Sequence, residues 1–146
     1  MFSIEGMETI IVGGSRGIGE ALVDGFVKAN AKVTMFDINP PDSIEGFEFI
    51  ECDLSKKGSI DESLAQYYKK NKIVKILVNC AAITIPGESH LYSDDDWLTS
   101  LSVNLSGIFF LCREVGRKMI KHQLGGSIIN FTSIGAEQGF ANNPGY

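Results

Sequence analysis

The sequence lacks the features by which chains commonly enter membranes or bind nucleic acids. Its longest apolar run, GIFFLC at residues 107–112, is far shorter than the roughly 20 residues needed to span a bilayer. The first residues, MFSIEGMETIIVGG, have neither the basic segment nor the long apolar stretch of a secretion signal. With 13 Lys and Arg against 18 Asp and Glu, the net charge of -5 disfavours attraction to phosphate. We therefore expect a cytoplasmic protein that binds neither membranes nor nucleic acids.

Cysteine and histidine are also scarce. The three cysteines, Cys52, Cys80 and Cys112, are odd in number and lie far apart, which favours reduced, buried thiols over a disulfide framework. His90 and His122 stand alone, without the clustered ligands that hold a metal ion. The sequence therefore predicts no disulfide and no metal site.

What the sequence does contain is an alternation of short β-type runs with helical patterns. The β-type runs cover residues 9–12, 32–37, 47–51, 75–79 and 127–132. Such an alternation is typical of a parallel sheet covered by helices. No repeat, low-complexity tract or linker divides the chain, so we expect one α/β domain over residues 1–146.

Three segments between these runs have helical patterns. Apolar or small residues in the first recur at Ile18, Ala21, Leu22, Gly25, Phe26 and Ala29, which predicts the face packed on the sheet, with Gly25 allowing close approach. In the second, they recur at Ile60, Leu64 and Tyr67 or Tyr68. The third, residues 93–123, begins with Ser93 as N-cap and three aspartates, and it ends with Arg117, Lys118 and Lys121. Its length predicts one long helix or two in succession.

Four glycines follow the first β-type run, at the point where a helix begins. Gly13, Gly17 and Gly19 are spaced differently from the G-x-G-x-x-G dinucleotide fingerprint, although they meet a similar geometric demand. The free N–H groups and dipole of a helix start attract phosphate, and glycines let a diphosphate approach the main chain. The turn therefore predicts a dinucleotide site, while a plain tight connector is the alternative.

Asp37 ends the second β-type run, 18 residues after Gly19. A carboxylate at this place can accept hydrogen bonds from the adenosine ribose and would repel a 2′-phosphate, which favours NAD over NADP. Arg16, inside the glycine turn, has three alternatives: it reaches a 2′-phosphate, pairs with Asp37 or remains in solvent. Asp37 also has a plainer interpretation, as a turn residue that ends the strand.

Five stretches together resemble motifs of the short-chain dehydrogenases/reductases, in the order and spacing of that family. They are GGSRGIG at 13–19, CDLS at 52–55, NCAAI at 79–83, VNLSG at 103–107 and GGSIINFTSIGAEQGFANNPGY at 125–146. The resemblance implies a Rossmann-type, doubly wound parallel sheet of about seven strands, of which five are counted here.

The resemblance also implies which residues hold the cofactor, NAD or alternatively NADP. Together with Asp37, they are Gly13, Ser15, Arg16, Gly17, Ile18, Gly19, Asp53, Leu54, Asn79 and Ala81. Asp53 is expected to bond the adenine amino group, and the Leu54 backbone is expected to lie beside the ring. Three positions depart from the family pattern, because Val12 stands for a common Thr, Cys80 for Asn and Ala82 for Gly.

By the same resemblance, Asn104, Ser133 and Tyr146 are the catalytic candidates. Ser133 and Tyr146 are 13 positions apart (146 minus 133), the interval common in the family. The implied reaction is hydride transfer between a nicotinamide and a small alcohol or carbonyl substrate, a sugar, polyol or 3-oxoacyl compound. Tyr146 would be the acid/base, and Ser133 would bond the same oxygen. Taken singly, each residue has a plainer alternative role. Ser133 could form a turn, Tyr146 could be an ordinary loop aromatic, and the Asn104 amide could hydrogen-bond a neighbouring backbone group within its helix.

The family's lysine four residues after the tyrosine would be residue 150, and the sequence ends at Tyr146. We therefore expect the N-terminal part of a longer oxidoreductase, inactive or nearly so as it stands, with an apolar sheet edge at residues 127–132. Relatives are usually dimers or tetramers built partly on the helix around Asn104, so we expect a homodimer or homotetramer of the longer protein and weaker assembly of residues 1–146 alone. The alternative from another class is a non-catalytic NAD(H)-binding module.

Overall fold

The computed structural model describes residues 3–42, 45–70, 73–123 and 125–146. Five parallel strands form one sheet in the order β3-β2-β1-β4-β5. The strands are β1 (Glu8–Val12), β2 (Lys32–Asp37), β3 (Phe47–Glu51), β4 (Ile76–Asn79) and β5 (Ser127–Asn130). The predicted α/β class and all five strands are confirmed, with bounds that differ by at most two residues.

The sheet has a packed layer on each face because its strand residues alternate in direction. Ile10 and Val12 of β1 belong to one core cluster, with Leu64 and Tyr67 of the helix α2 (Lys57–Tyr68). Ile11 belongs to the other cluster, beneath the helix α1 (Gly17–Lys28). The chain order leaves β1 between β2 and β4, so the crossovers reverse direction beside β1. In open parallel sheets, ligands bind outside the carboxyl ends of the strands at this point.

The helix α1 packs on the sheet with a face that matches the predicted one only in part. Leu22 and Phe26 are half-buried and pack against the core cluster, as predicted. Gly19 and Val23 are buried, whereas Ile18 is 64% exposed and Ala21 and Gly25 are exposed as well. A Cβ at Gly25 would meet nothing within 4 Å, so this glycine does not serve close packing. The prediction was wrong for Ile18, because α1 starts directly above the glycine turn, which places Gly19 against the main chain of Gly13.

The segment from residue 94 to 121 is helical throughout, in three successive parts. They are α3 (Asp94–Leu101), a π-helical segment (Ser102–Gly107) and α4 (Ile108–Lys121). Ser93 caps α3 as predicted, because its Oγ accepts from the Asp96 N–H at 3.0 Å. Lys118 and Lys121 occupy the last turn of α4, while Arg117, one position earlier, bonds Glu114. A π segment widens the helix by one residue and is common at functional sites.

The strand β5 lies at one edge of the sheet and pairs with β4. Its four residues are all exposed, and Ile128, Ile129 and the following Phe131 present 38%, 43% and 44% of their area. This is the apolar edge that the sequence predicts. Across the described ranges, no helix is both long enough and apolar enough to cross a membrane.

Candidate functional site

The glycine turn is tightly packed against the loop that follows β4. Gly13 has a φ of +80°, and a Cβ there would lie 2.5 Å from the Cα of Ala81. A Cβ at Gly19 would lie 1.9 Å from the Gly13 carbonyl oxygen. Gly17, the first residue of α1, has a φ of +59°. No other residue type fits at Gly13 or Gly19 without moving the main chain, which leaves bare backbone beside the start of α1.

A cavity of about 440 Å³ opens above this turn, outside the carboxyl ends of β1 and β2. Most of the residues predicted to hold a cofactor line it. They are Gly13, Ser15, Arg16, Gly17, Ile18, Gly19, Asp37, Asp53, Leu54 and Ala81. Sequence reasoning gave no cofactor role to several other lining residues: Val12, Phe36, Ile38, Asn39, Cys52, Cys80, Ala82, Ile83 and Val103. Ile38 and Asn39 directly follow Asp37, so their place after a strand end was a usable signal.

The Asp37 carboxylate is fixed at the rim of this cavity. Its Oδ2 accepts from the Ser15 N–H and its Oδ1 from the Asn39 N–H, both at 3.0 Å. Asp37 is 9% exposed, and its hydrogen bond from Ser15 joins the end of β2 to the glycine turn. In the described part of the chain, Arg16 is exposed and makes no ion pair with Asp37. The cavity rim therefore carries an oriented negative charge.

Asp53 lies at the far side of the same cavity, after β3. Its Oδ1 accepts from the N–H and hydroxyl of Ser55, and its Oδ2 pairs with Lys56 Nζ at 2.8 Å. Partial burial acts to raise the pKa of Asp53, but the bonds from Lys56 and Ser55 outweigh it and hold the pKa below its usual value. Leu54 is buried beside it. An ionised carboxylate thus faces the cavity at neutral pH.

Two of the three cysteines line the first cavity, and all three are free thiols. Cys52 is buried, and burial raises the pKa of its thiol to about 11. Burial also raises the pKa of Cys80 and Cys112, although both are only half-buried, so the prediction of buried thiols was wrong for these two. Cys80 is half-buried because it stands in the loop after β4, where it lines both this cavity and a second one described below.

Asn79 ends β4 and lies outside the first cavity. Its Nδ2 donates to Asn130 Oδ1 at 2.8 Å and to Cys112 Sγ at 3.3 Å. These bonds join β4, β5 and α4 below the site. Its own Oδ1 is buried without a hydrogen-bond partner among the described residues. Asn79 therefore contacts the second cavity described below and the sheet interior.

A second cavity of about 400 Å³ adjoins the first, and the three catalytic candidates line it together. Asn104 comes from the π segment, Ser133 from the turn after β5, and Tyr146 from the end of the chain. Ile18, Cys80, Ala81 and Ala82 line both cavities, so the exposed side of Ile18 faces the site. A ligand longer than one cavity would pass this shared boundary.

The side chains of Asn104 and Ser133 are held by hydrogen bonds to the main chain. The Asn104 amide makes two bonds to Ile83, accepting from its N–H and donating to its carbonyl, both at 2.9 Å. Ser133 Oγ accepts from the Gly135 N–H at 3.1 Å and caps a short 3₁₀ turn, and Tyr146 is 47% exposed. The Asn104 side chain therefore fastens the loop after β4, while the Ser133 hydroxyl keeps its proton free to donate.

These features suit a dinucleotide. The glycine turn admits a diphosphate, the first N–H groups of α1 lie at the cavity, and Asp37 offers acceptors for hydroxyl groups. Within the described ranges, no group of three His, Cys, Asp or Glu side chains converges on a metal position.

Comparisons with known proteins agree with this geometry. A family model described as short chain dehydrogenase matches residues 8–146. The chain is 34% identical over 154 residues to the 3-oxoacyl-(acyl-carrier-protein) reductase FabG of Chlamydia pneumoniae, covering 99% of this chain and 62% of the relative. It is 35% identical over 136 residues to the probable galactose dehydrogenase GalD of Rhizobium meliloti (strain 1021), covering 86% of this chain and 53% of the relative.

A solved structure, 4-hydroxyisoleucine dehydrogenase complexed with NADH, superimposes with a TM-score of 0.91 at 26% identity. The superposition covers 96% of this chain and 61% of that one. The chain thus spans between about half and three-fifths of the length of the proteins it matches.

Proposed function

The chain belongs to the short chain dehydrogenases, and from this premise we propose that it binds NAD in the first cavity and serves an oxidoreductase that interconverts an alcohol and a carbonyl compound. The observation that carries the proposal is the bare backbone at Gly13 and Gly19 beside the oriented Asp37 carboxylate. The NADH complex of 4-hydroxyisoleucine dehydrogenase supports a nicotinamide cofactor.

The residues of the first cavity would hold the cofactor in three places. The main chain around Gly13 and Gly19 receives the diphosphate, Asp37 accepts from the ribose hydroxyls, and Asp53 with Leu54 contacts the adenine. We propose NAD over NADP because the hydrogen bonds from two backbone N–H groups hold the Asp37 carboxylate in place. The carboxylate therefore cannot move away from a 2′-phosphate and would repel it.

In the second cavity, the proposed roles follow from what each group can donate. When bound, the nicotinamide ring supplies or accepts the hydride. Tyr146 gives its phenolic proton to the substrate oxygen in reduction and takes it back in oxidation. Ser133 Oγ donates a hydrogen bond to the same oxygen, since its own lone pair already accepts from Gly135. Asn104 keeps the loop at Ile83 in place between the two cavities.

The substrate class we propose is a small sugar, polyol or 3-oxoacyl compound. Its support is the likeness to a probable galactose dehydrogenase and to a 3-oxoacyl reductase. We also propose that the longer protein assembles as a homodimer or homotetramer, in part through the helical segment 94–121, where Leu98, Leu105 and Phe109 are each more than half exposed. Sedimentation velocity measures this assembly directly.

Calorimetry with NADH and NADPH tests the cofactor proposal. We expect NADH to bind the 146-residue chain more tightly than NADPH. In the Asp37→Asn variant, the difference between the two affinities should be smaller. Asp24→Asn is the matched control, because Asp24 lies on the exposed side of α1 in a pair with Lys28. Tighter NADPH binding by the unchanged chain would overturn the preference, and no heat with either dinucleotide would overturn the function.

A second measurement separates an enzyme from a binding module. We propose that the 146-residue chain alone is inactive or nearly so, because the lysine of the family pattern would be residue 150. NADH oxidation against a panel of ketones, aldoses and 3-oxoacyl thioesters tests this, and turnover like that of an intact relative would refute it. A longer form of the protein with lysine at 150 supports the enzyme, and one without it supports the module.

A further inference from the structure

A pair of hydroxyl groups joins the loop after β4 to the helix α3. Tyr92 Oη donates to the Ile85 carbonyl at 2.8 Å and lies 3.3 Å from Ser100 Oγ. Ser100 is 1% exposed within α3, and Tyr92 is half-buried. No sequence motif pointed to either residue. We call these two side chains the hydroxyl pair.

The backbone just before Tyr146 packs on the hydroxyl pair. Gly145 is buried, and a Cβ there would lie 2.8 Å from Ser100 Oγ, 2.9 Å from Ser100 Cβ and 2.9 Å from Tyr92 Oη. A methyl group at this position would therefore displace either the hydroxyl pair or the chain end. The residue that follows this close contact is Tyr146, the proposed acid/base.

Further contacts tie the same segments together. The Gly87 N–H donates to the Asn142 carbonyl at 2.9 Å, which joins the loop after β4 to the last turn of the chain. On the other side, a Cβ at Gly135 would lie 3.3 Å from Tyr146 Cδ1, so the Tyr146 ring packs on the turn that Ser133 caps. Tyr146 thus stands between the hydroxyl pair and the Ser133 turn.

We propose that Tyr92 and Ser100 are positioning residues that set the place of Tyr146 relative to Ser133. The inference rests on the proposed function for its catalytic meaning, although the contacts themselves do not. The hydroxyl pair acts through Gly145. The Tyr92 hydroxyl is fixed by its hydrogen bond to Ile85, and Ser100 is fixed by its place in α3. Together they limit how closely the backbone of Gly145 can approach α3. Loss of one hydroxyl lets Tyr146 move without unfolding the sheet.

The test removes the hydroxyl of Tyr92 and watches Tyr146 by NMR. The chain has four tyrosines, so ¹³Cζ labelling gives four signals, and Tyr146→Phe assigns the relevant one. We expect Tyr92→Phe to shift or broaden the Tyr146 signal and to leave NADH affinity unchanged. Tyr68→Phe is the matched control, since it removes another half-buried phenol hydroxyl far from this site, between α2 and α4, and should leave the Tyr146 signal in place.

A second pair of variants approaches the contact from the other side. Gly145→Ala should also move the Tyr146 signal, and adding Ser100→Gly should return it toward the original position, because two of the three atoms that the methyl group meets are then gone. In an active, longer form of the protein, Tyr92→Phe should lower kcat about threefold to tenfold, as loss of one hydrogen bond implies, with little change in KM.

The outcomes are distinct for the two proposals. An unshifted Tyr146 signal in both Tyr92→Phe and Gly145→Ala overturns the positioning role, whatever the cofactor does. Absence of NADH binding by the unchanged chain overturns the proposed function, while the NMR comparison still decides the contact. If Tyr146→Phe and Tyr92→Phe lowered NADH affinity equally, the positioning role would also be overturned, because both residues would then belong to the binding site.

Discussion

Gly19 and Gly25 lie six positions apart on α1, and replacing each with alanine gives opposite predictions. At Gly19, the new methyl group would lie 1.9 Å from the Gly13 carbonyl oxygen, well inside contact distance. At Gly25, nothing lies within 4 Å of the added carbon, and the position is exposed. The two variants make the same chemical change on the same helix, so any difference between them reports the glycine turn.

The expected magnitudes follow from packing and from chain entropy. Gly19→Ala forces the start of α1 away from Gly13, and overpacking of this kind costs about 1–3 kcal/mol of the free energy of unfolding. Gly25→Ala should instead stabilise the chain by about 0.4–1 kcal/mol, because alanine loses less conformational freedom in a helix interior. The diphosphate site should change with Gly19 alone, and we expect NADH affinity to fall at least about tenfold there, a loss of 1.4 kcal/mol.

Urea unfolding followed by circular dichroism gives the two stabilities, and fluorescence titration with NADH gives the affinities. The Gly25→Ala variant should bind NADH as the unchanged chain does. If Gly19→Ala folds and binds NADH with unchanged affinity, the backbone of the glycine turn is not the diphosphate site. If Gly25→Ala weakens binding as strongly, the effect belongs to α1 in general and the reasoning from close contact fails.

Two further predictions concern stability. Burial raises the pKa of Cys52 from 9.0 to about 11, so its contribution to stability is fully present below pH 9 and is lost as the pH rises through about 11. Urea unfolding at pH 8 and 10.5 should show the stability advantage over Cys52→Ala shrinking by about 2 kcal/mol, and an unchanged advantage would contradict this. Ser93→Ala should cost about 1 kcal/mol because it removes the bond from the Asp96 N–H, whereas Ser102→Ala, whose hydroxyl only bonds back to the Thr99 carbonyl, should change the midpoint little.

The strands β1, β2 and β4 were predictable because each is a short run rich in apolar residues, as is typical of a strand covered on both faces. The more exposed strands β3 and β5 were predictable from their aromatic and β-branched residues. Ser93 was predictable for a similar local reason, since a cap is decided by residues three positions apart. The buried face of α1 was predictable in part. Leu22 and Phe26 pack on the core as their helical spacing predicts, whereas Gly19 and Val23 were missed because the glycine turn sets how the helix begins.

The candidate site divides along the same line. The glycine turn and Asp37 carry local signals, since a strand end followed by special backbone chemistry is visible in the sequence. The Tyr92 and Ser100 contact with Gly145 joins residues far apart in the chain, and none of the three has a spacing that marks it. The sequence identified Asn104 as a catalytic candidate. Its two hydrogen bonds to Ile83 were not predictable, because they depend on the π segment, which no residue pattern predicted.

The edge strand β5 offers neighbouring molecules a surface on which an added strand has no preferred register. Ile128 and Ile129 point to opposite faces and are similarly exposed, so sliding an added strand by one residue would exchange one isoleucine contact for another at little cost. Self-association through β5 should therefore produce complexes of several registers and sizes, and their share should grow with protein concentration. Contacts through the helical segment 94–121 should instead give a single stoichiometry.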